Sequence, residues 1–391
     1  MIDFNFVSPT KIVFGHEAEA KVGALLKDYG FKHVLLVYGS ASIKLSGLYD
    51  KVIGYLDEAK IAHDEISGVR ANPSKALVTE GVGIAKHKGA DCILAVGGGS
   101  VIDTAKAIGV GVYYDGDPFN FNLHKVVPKK SLPVGVILTI ASAGSELSNS
   151  CVISDDTLQI KQGFNSDLVR PLFAIEDPEL TYSVPAYQTA CGIADIMMHS
   201  LERYFAQSGE LQLCDEWALD LVKNTMAAGK KALQDPHDYE ARAALMLDSS
   251  LSHNGLTGLG KPFQFVVHPL EHALSGYRPN ITHGAGVALL YPAWAEYVYK
   301  REPYKFAHLA KALFKIKGTD EAQVAIMGID AMRKFFASIG MPTTFEEVGL
   351  TSKDLPNLVR LASGNGTRVI GCYPQSLEAK DIEAIYASLI R

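Results

Sequence analysis

The chain has no CxxC pair and no even set of cysteines. Its five, Cys92, Cys151, Cys191, Cys214 and Cys372, are scattered along 391 residues. A disulfide scaffold or a cysteine-based zinc module is therefore excluded, and free thiols in a reducing compartment are expected. Positive charge is not in excess either: 37 Lys and Arg face 43 Asp and Glu, a net charge of -6. Nucleic acids and anionic membranes both need a basic face, so neither is an expected partner. The longest apolar runs, such as residues 132–141, fall well short of the ~20 residues that span a bilayer. The opening MIDFNFVSPTKIVFG alternates apolar and polar residues and holds no basic stretch followed by an apolar one, so no targeting signal is read there. There is no internal repeat and no low-complexity segment. What is present, 48% hydrophobic and 20% charged residues, suits a cytoplasmic globular protein of two or three domains with a large core.

The first 180 residues alternate two kinds of segment. Short apolar runs at 34–38, 92–96, 134–140 and 172–175 read as buried strands, and helical patterns lie between them at 17–29, 74–88 and 101–108. Strands that are apolar on both faces and alternate with helices imply a parallel sheet covered on both sides. After Asp177-Pro178 the character changes. Long helical patterns follow at 185–205, 215–233, 239–251, 284–299 and 321–339, with almost no strand signal. The expected division is an α/β domain over 1–180 and an all-helical domain over 181–391.

Three loops follow predicted strands. Gly97-Gly98-Gly99-Ser100-Val101-Ile102-Asp103 opens a helix, where glycines let the backbone turn and bring N–H groups close to an anion at the positive end of the helix dipole. The spacing is not GxGxxG, so the standard dinucleotide fingerprint is missing. A plain glycine turn capped by Ser100, with Asp103 completing the cap, is the competing reading. The second loop, Gly39-Ser40-Ala41-Ser42-Ile43-Lys44, sits where nucleotide-binding sheets meet the adenosine ribose. An acid there would hold a free 2′-hydroxyl and repel a 2′-phosphate. This stretch has none; it offers hydroxyls and a lysine instead, or it is simply a polar loop. The third, residues 139–146, is rich in small residues that allow a ligand close approach, and includes Thr139 and Ser142.

The sharpest pattern lies in the helical half. Asp195 and His199 are four apart within one predicted helix and share a face. His268 and His272 are also four apart, in HPLEH, and His283 follows in THG. Pro269 suits the first turn of a helix beginning there. Each residue alone reads as structural. Together, one carboxylate and four imidazoles in otherwise apolar segments suit a metal such as zinc, iron, copper or nickel. A metal site beside a dinucleotide loop points to metal-assisted hydride transfer.

These residues resemble the iron-containing, or group III, alcohol dehydrogenases, nearly end to end. Within them the chain looks most like the NADPH-dependent butanol dehydrogenase and aldehyde reductase branch. The resemblance is carried by PTKIVFG at 9–15, GGGSVID at 97–103, the helix with Asp195 and His199, and HPLEHALSGYRPNITHG at 268–284. It implies an N-terminal nucleotide-binding domain, a C-terminal helical domain and an active site in the cleft between them. It also implies a metal ligand set of Asp195, His199, His268 and His283, with His272 beside the metal. Gly98, Gly99 and Ser100 would hold the pyrophosphate, Asp103 would lie near the nicotinamide, and Asn72 and Lys161 would face the cofactor. The third loop departs from the family: Ala143 stands where relatives usually have threonine, and Ser148 where asparagine is common. Gln264-Phe265 replaces a frequent Asp-Trp, and the stretch from His268 to His283 is one residue longer.

The implied activity is hydride transfer between NAD(P)H and small aldehydes or primary alcohols. One Fe2+ or Zn2+ would act as Lewis acid, NADP(H) would be preferred with NAD tolerated, and His272 would deliver the proton or steer the substrate oxygen. A homodimer is expected. The rival readings are a glycerol-dehydrogenase-like or dehydroquinate-synthase-like enzyme of the same superfold and, more remotely, a non-catalytic nucleotide- or metal-binding protein.

Overall fold

The computed structural model describes residues 1–207 and 212–390. The chain divides into two compact units. One comprises Val7–Val184 and Pro236–Asn254; the other comprises Met1–Phe6, Pro185–Asp235 and Gly255–Arg391.

The first unit is built on a six-stranded sheet in which every pairing is parallel. Its strands are β1 (Lys11–Phe14), β2 (His33–Tyr38), β3 (Ala62–Ile66), β4 (Cys92–Gly97), β5 (Val134–Leu138) and β8 (Phe173–Glu176), in the order β1-β8-β5-β4-β2-β3. An antiparallel pair, β6 (Ser150–Asp155) and β7 (Ile160–Asn165), stands apart. The double-sided apolar pattern has a direct counterpart in the packing. Leu35, Val37, Ile93, Ala95, Val134 and Val136 point into one core, and Val34, Leu36, Cys92, Leu94, Val96 and Ile137 into another. Successive side chains of a strand leave on opposite faces, so each face gets its own helical cover.

Four strands carry no such signal: β1, β3, β6 and β7, and β1, at one sheet edge, has no fully buried side chain. In β3, sequence AHDEI, only Ile66 is buried, because this strand is a sheet edge. The β6–β7 pair mixes polar residues and Gly163 among its apolar ones. The helix Tyr239–His253 also belongs to this unit, although its sequence lies within the helical half.

In the second unit the long helices Ala186–Tyr204, Gln212–Gln234, Val267–Tyr277, His283–Val298 and Glu321–Ser338 dominate. Among its described residues no strand is formed, only an isolated bridge between Ile370 and Leu377. Among the described residues, no helix is long and apolar enough to cross a membrane.

Candidate functional site

In the α/β unit, the loops after β2, β4 and β5 leave neighbouring strands at one end of the sheet. Tyr38 pairs with Val96, Gly97 pairs with Leu138, and the Thr139 N–H donates to the Gly97 carbonyl at 3.1 Å. The chain lays β3 on one side of β2 and β4 on the other, which makes this a topological switch point, the place where open α/β sheets bind ligands.

The helix Gly99–Gly111 starts directly at the glycine loop. Gly97, Gly98 and Gly99 are not in the left-handed region. Their glycine identity comes from close approach instead: a Cβ on Gly98 would lie 2.0 Å from the Ile140 side chain, and one on Gly99 would lie 2.8 Å from Ala143. The first helical bonds run from Val101 and Ile102 to the Gly98 carbonyl, which leaves the Gly99 and Ser100 N–H groups ahead of them. Ser100 sits inside the first turn and makes no side-chain cap; the helix begins from Gly98. Asp103 does not complete a cap either. Its Oδ1 accepts from Ser145 Oγ at 2.5 Å and its Oδ2 from the Val152 N–H at 2.9 Å.

Asn72 is buried in the loop after β3, with φ +56°, a conformation asparagine tolerates better than most residues. The next residue, Pro73, accepts from the Ser154 N–H at 2.8 Å, and Ser154 faces Lys161 across the β6–β7 pair. Burial pushes the Asp103 carboxyl up, and the charges of Lys106 and Lys161 oppose that shift. Asn72, Asp103 and Lys161 are therefore linked through the β6–β7 pair. Ser142 is held by its N–H, which donates to Ser249 Oγ at 3.1 Å.

The loop after β2 is open. Ser40, Ser42 and Lys44 are exposed. Lys44 does not reach freely into solvent: its Nζ lies 4.6 Å from the Tyr49 ring and 5.3 Å from the Tyr38 ring. Both tyrosines donate to Glu65, at 2.5 and 2.7 Å. A Cβ on Gly39 would meet only the Val69 carbonyl, at 3.6 Å.

One residue absent from the sequence reading organises this region. Lys106 is fully buried, and its ammonium donates to the carbonyls of Ser145, Ser148 and Ser150 and to two serine hydroxyls, at 2.6 to 3.2 Å. The signal was a lysine inside an otherwise apolar helix, VIDTAKAIG.

In the helical unit, Asp195 and His199 come from the helix Ala186–Tyr204, and His268 and His272 from Val267–Tyr277. His283 is the first residue of His283–Val298. Two glycines let these helices close up: a Cβ on Gly284 would lie 2.0 Å from the Cys191 carbonyl, and one on Gly286 would lie 2.6 Å from the Glu271 side chain. Asp195 Oδ1 stands 3.6 Å from each of three imidazole nitrogens: His199 Nδ1, His268 Nε2 and His283 Nε2. That is too long for a hydrogen bond. It is close to the ~3.4 Å that separates ligand atoms sharing a tetrahedral ion with bonds of ~2.1 Å. Asp195, His199 and His268 are buried, and His268 Nε2 makes no hydrogen bond. Donor set and spacing both fit a borderline divalent metal. His283 keeps about a quarter of its side chain exposed, and His272 is partly exposed, its ring 5.6 Å from that of His283.

Burial alone would raise the Asp195 carboxyl; the three imidazoles outweigh it and hold the group well below the usual carboxylate range. Burial would likewise lower His268, but the Glu202 and Asp195 carboxylates push it up to about 9. Two carboxylates behind the cluster escaped the sequence reading. Glu202 accepts from His268 Nδ1, and Glu271 accepts from His283 Nδ1. No local spacing reveals these pairings: Glu202 bonds a histidine 66 residues ahead on another helix, and Glu271 one 12 residues ahead.

Two family models cover most of the chain. Residues 9–178 match the iron-containing alcohol dehydrogenase model, and residues 189–390 match the C-terminal domain model of the Fe-containing alcohol dehydrogenases. The chain belongs to the iron-containing alcohol dehydrogenase family. This enzyme is 39% identical over 388 residues to NADH-dependent butanol dehydrogenase A of Clostridium acetobutylicum, covering 99% of each chain. It is 31% identical to the NADPH-dependent aldehyde reductase YqhD of Escherichia coli, covering 95% of each. The solved structure of NADH-dependent butanol dehydrogenase A from Thermotoga maritima superposes with a TM-score of 0.96 at 33% identity, over 100% of this chain and 99% of that one.

Proposed function

We propose that this enzyme is a metal-dependent alcohol dehydrogenase that works chiefly as an NADPH-dependent reductase of small aldehydes. The relatives carry butanol dehydrogenase and aldehyde reductase in their names, which favours hydride transfer over the lyase and non-catalytic readings. The observation that carries the site is Asp195 Oδ1, equidistant at 3.6 Å from His199, His268 and His283. These four residues hold one Fe2+ or Zn2+.

When bound, the metal supplies Lewis acidity at the substrate oxygen, and the nicotinamide carries the hydride. The residues of the chain do the rest. Gly98, Gly99 and Ser100 receive the pyrophosphate at the start of the helix Gly99–Gly111. Thr139 and Ser142 present small polar groups beside them, while Asp103, Asn72 and Lys161 shape the cofactor side of the loop. His272, partly exposed beside His283, hands a proton to the substrate oxygen during reduction and takes it back during oxidation.

The preference for NADPH rests on Gly39, Ser40, Ser42 and Lys44, where no carboxylate is present to repel a 2′-phosphate. The C. acetobutylicum relative is named for NADH and the E. coli relative for NADPH, so the loop itself is the argument here. The enzyme acts in the cytoplasm as a homodimer. Strand β1 supports the dimer: it is a sheet edge that leaves Ile12 and Phe14 more than a third exposed.

Metal analysis together with NADPH and NADH oxidation against an aldehyde panel tests the reading. One metal per chain and aldehyde-dependent NADPH oxidation are expected. Metal-free protein with full turnover would overturn it.

A further inference from the structure

Glu202 belongs to neither the cofactor loops nor the cluster that faces Asp195, yet it is buried and fully engaged. Its Oε1 accepts from the Val266 and Val267 N–H groups, the latter at 2.6 Å. Its Oε2 accepts from the His268 N–H at 3.2 Å and from His268 Nδ1. Val266 is the N-cap of the helix Val267–Tyr277, and its own side chain makes no capping bond. The free N–H groups at that helix start are thus satisfied by a carboxylate from a different helix, Ala186–Tyr204. A negative group there also suits the positive end of the helix dipole.

We propose that Glu202 is a positioning residue that sets the metal-binding tautomer of His268 while it caps the helix carrying that histidine. A carboxylate can only accept, so Nδ1 keeps its proton, and it is Nε2, 3.6 Å from Asp195 Oδ1, that would give up its proton and offer a lone pair to a metal. Glu271 repeats the device: it accepts from His283 Nδ1, and His283 Nε2 faces the same Asp195 oxygen. Each pair is a carboxylate–histidine dyad aimed at one point, the arrangement that holds metal-bound imidazoles in place elsewhere. Glu202 does more than Glu271. It ties the helix that supplies Asp195 and His199 to the helix that supplies His268 and His272. The two i,i+4 pairs are thereby brought into one cluster by a residue that belongs to neither.

The proposal rests on the reading of Asp195, His199, His268 and His283 as metal ligands, and its test separates the two. Glu202→Gln keeps an oxygen for the Val266 and Val267 N–H groups but turns an NH2 toward His268. Nδ1 must then accept, which moves the proton to Nε2 and closes the metal-facing nitrogen. The experiment titrates Co2+ into metal-free protein and reads its visible absorption. It is paired with thermal unfolding of the same metal-free samples and 15N NMR of the histidine side chains. Glu202→Gln is expected to bind Co2+ about 10–100-fold more weakly than the wild type, with the tautomer of neutral His268 reversed and the metal-free unfolding temperature lowered somewhat, because the new NH2 also faces the His268 N–H. Glu202→Ala, which also removes the cap, is expected to lower that temperature as well. Co2+ affinity within twofold of the wild type in folded Glu202→Gln overturns the proposal. Wild-type protein that binds no Co2+, or an Asp195→Asn variant that binds it normally, overturns the ligand assignment instead.

Discussion

Gly39→Asp is the perturbation that questions cofactor choice most directly. The backbone at Gly39 is outside the left-handed region, and a Cβ there meets only the Val69 carbonyl at 3.6 Å, an ordinary contact. The Gly39 carbonyl keeps its bond from the Gly68 N–H at 2.9 Å, so the aspartate enters without rebuilding the loop. Ser40, Ser42 and Lys44 stay exposed beside it. Lys44 lies against Tyr38 and Tyr49, with Glu65 already drawn to both hydroxyls, so it has carboxylate company even before the substitution.

Two unit charges ~4 Å apart interact by about 1 kcal/mol in bulk water and by more near a protein surface. A 2′-phosphate carrying roughly two charges then loses at least about 2 kcal/mol, a factor of ~30. NADH gains a charge-assisted hydrogen bond from its ribose diol, worth about 1.5–3 kcal/mol. The expected wild type prefers NADPH, and the variant reverses that preference with a combined change of about three to four orders of magnitude in the kcat/KM ratio. Steady-state oxidation of both cofactors at saturating butanal, on wild type and variant at two salt concentrations, reads it. The salt series matters because an exposed phosphate contact weakens as ionic strength rises. Equal kcat/KM for the two cofactors in the wild type, or a ratio unmoved in the variant, refutes the claim that this loop reads the 2′-phosphate.

Three further outcomes are expected. His268→Ala should lose most of the bound metal and the activity with it, since the remaining donors are too few; full metal content by mass spectrometry would reject the assignment. His272→Ala should keep its metal while kcat falls by about 10²–10⁴-fold, whereas lowered stability with normal turnover per folded molecule would mark it as structural. Glu176 gives a pH dependence of stability: burial first, then the neighbouring Glu146 charge, pushes its carboxyl from the ordinary 4.5 up to about 8, against the pull of Ser250. The raised folded value means that stability is full below about 4.5, is lost as pH rises through about 8, and is flat beyond. The loss is on the order of a few kcal/mol, at ~1.4 kcal/mol per tenfold change in proton affinity. Glu176→Gln should remove that loss, and unfolding-temperature curves of the two proteins that run parallel from pH 5 to 9 would contradict it.

Legibility from sequence followed burial. Strands β2, β4, β5 and β8 stood out because both faces are apolar and each alternate residue enters its own core. β3, with three polar residues in five, lies at an edge and has only one buried side chain to advertise it. The helix Tyr239–His253 was legible as a helix but not in its placement, because Met246 enters the α/β core and its serines bond distant loops, and neither contact shows in the local periodicity. Ser249 accepts from the Ser142 and Gly144 N–H groups, and Ser250 bonds both Glu146 and Glu176. In the cluster, the i,i+4 pairs Asp195–His199 and His268–His272 could be read because a helix converts that spacing into a shared face. Glu202 could not, because its partners lie 64 to 66 residues ahead and only tertiary packing makes the pairing.

The loop after β5 shows how a connecting segment stays ordered without an apolar core of its own. A lysine buried to the degree of Lys106 is destabilised by desolvation, and burial does lower its affinity for the proton. The charge of Asp103 opposes that shift most strongly. Asp103 is therefore committed: its carboxylate balances Lys106 while it holds Ser145 and the Val152 N–H. The ammonium in turn gathers the carbonyls of Ser145, Ser148 and Ser150, so the chain between β5 and β6 folds around one cation. The helix Tyr239–His253 clamps the same loop from its outer side through Ser249. Gly144, at φ +63°, is forced by that clamp, because a Cβ would lie 2.5 Å from the Ser249 carbonyl. A network this closed leaves little freedom at Asp103. The same carboxylate cannot release Ser145 to grip a ligand without exposing a buried cation. What Asp103 does in this network is therefore to fix the shape of the 143–150 loop.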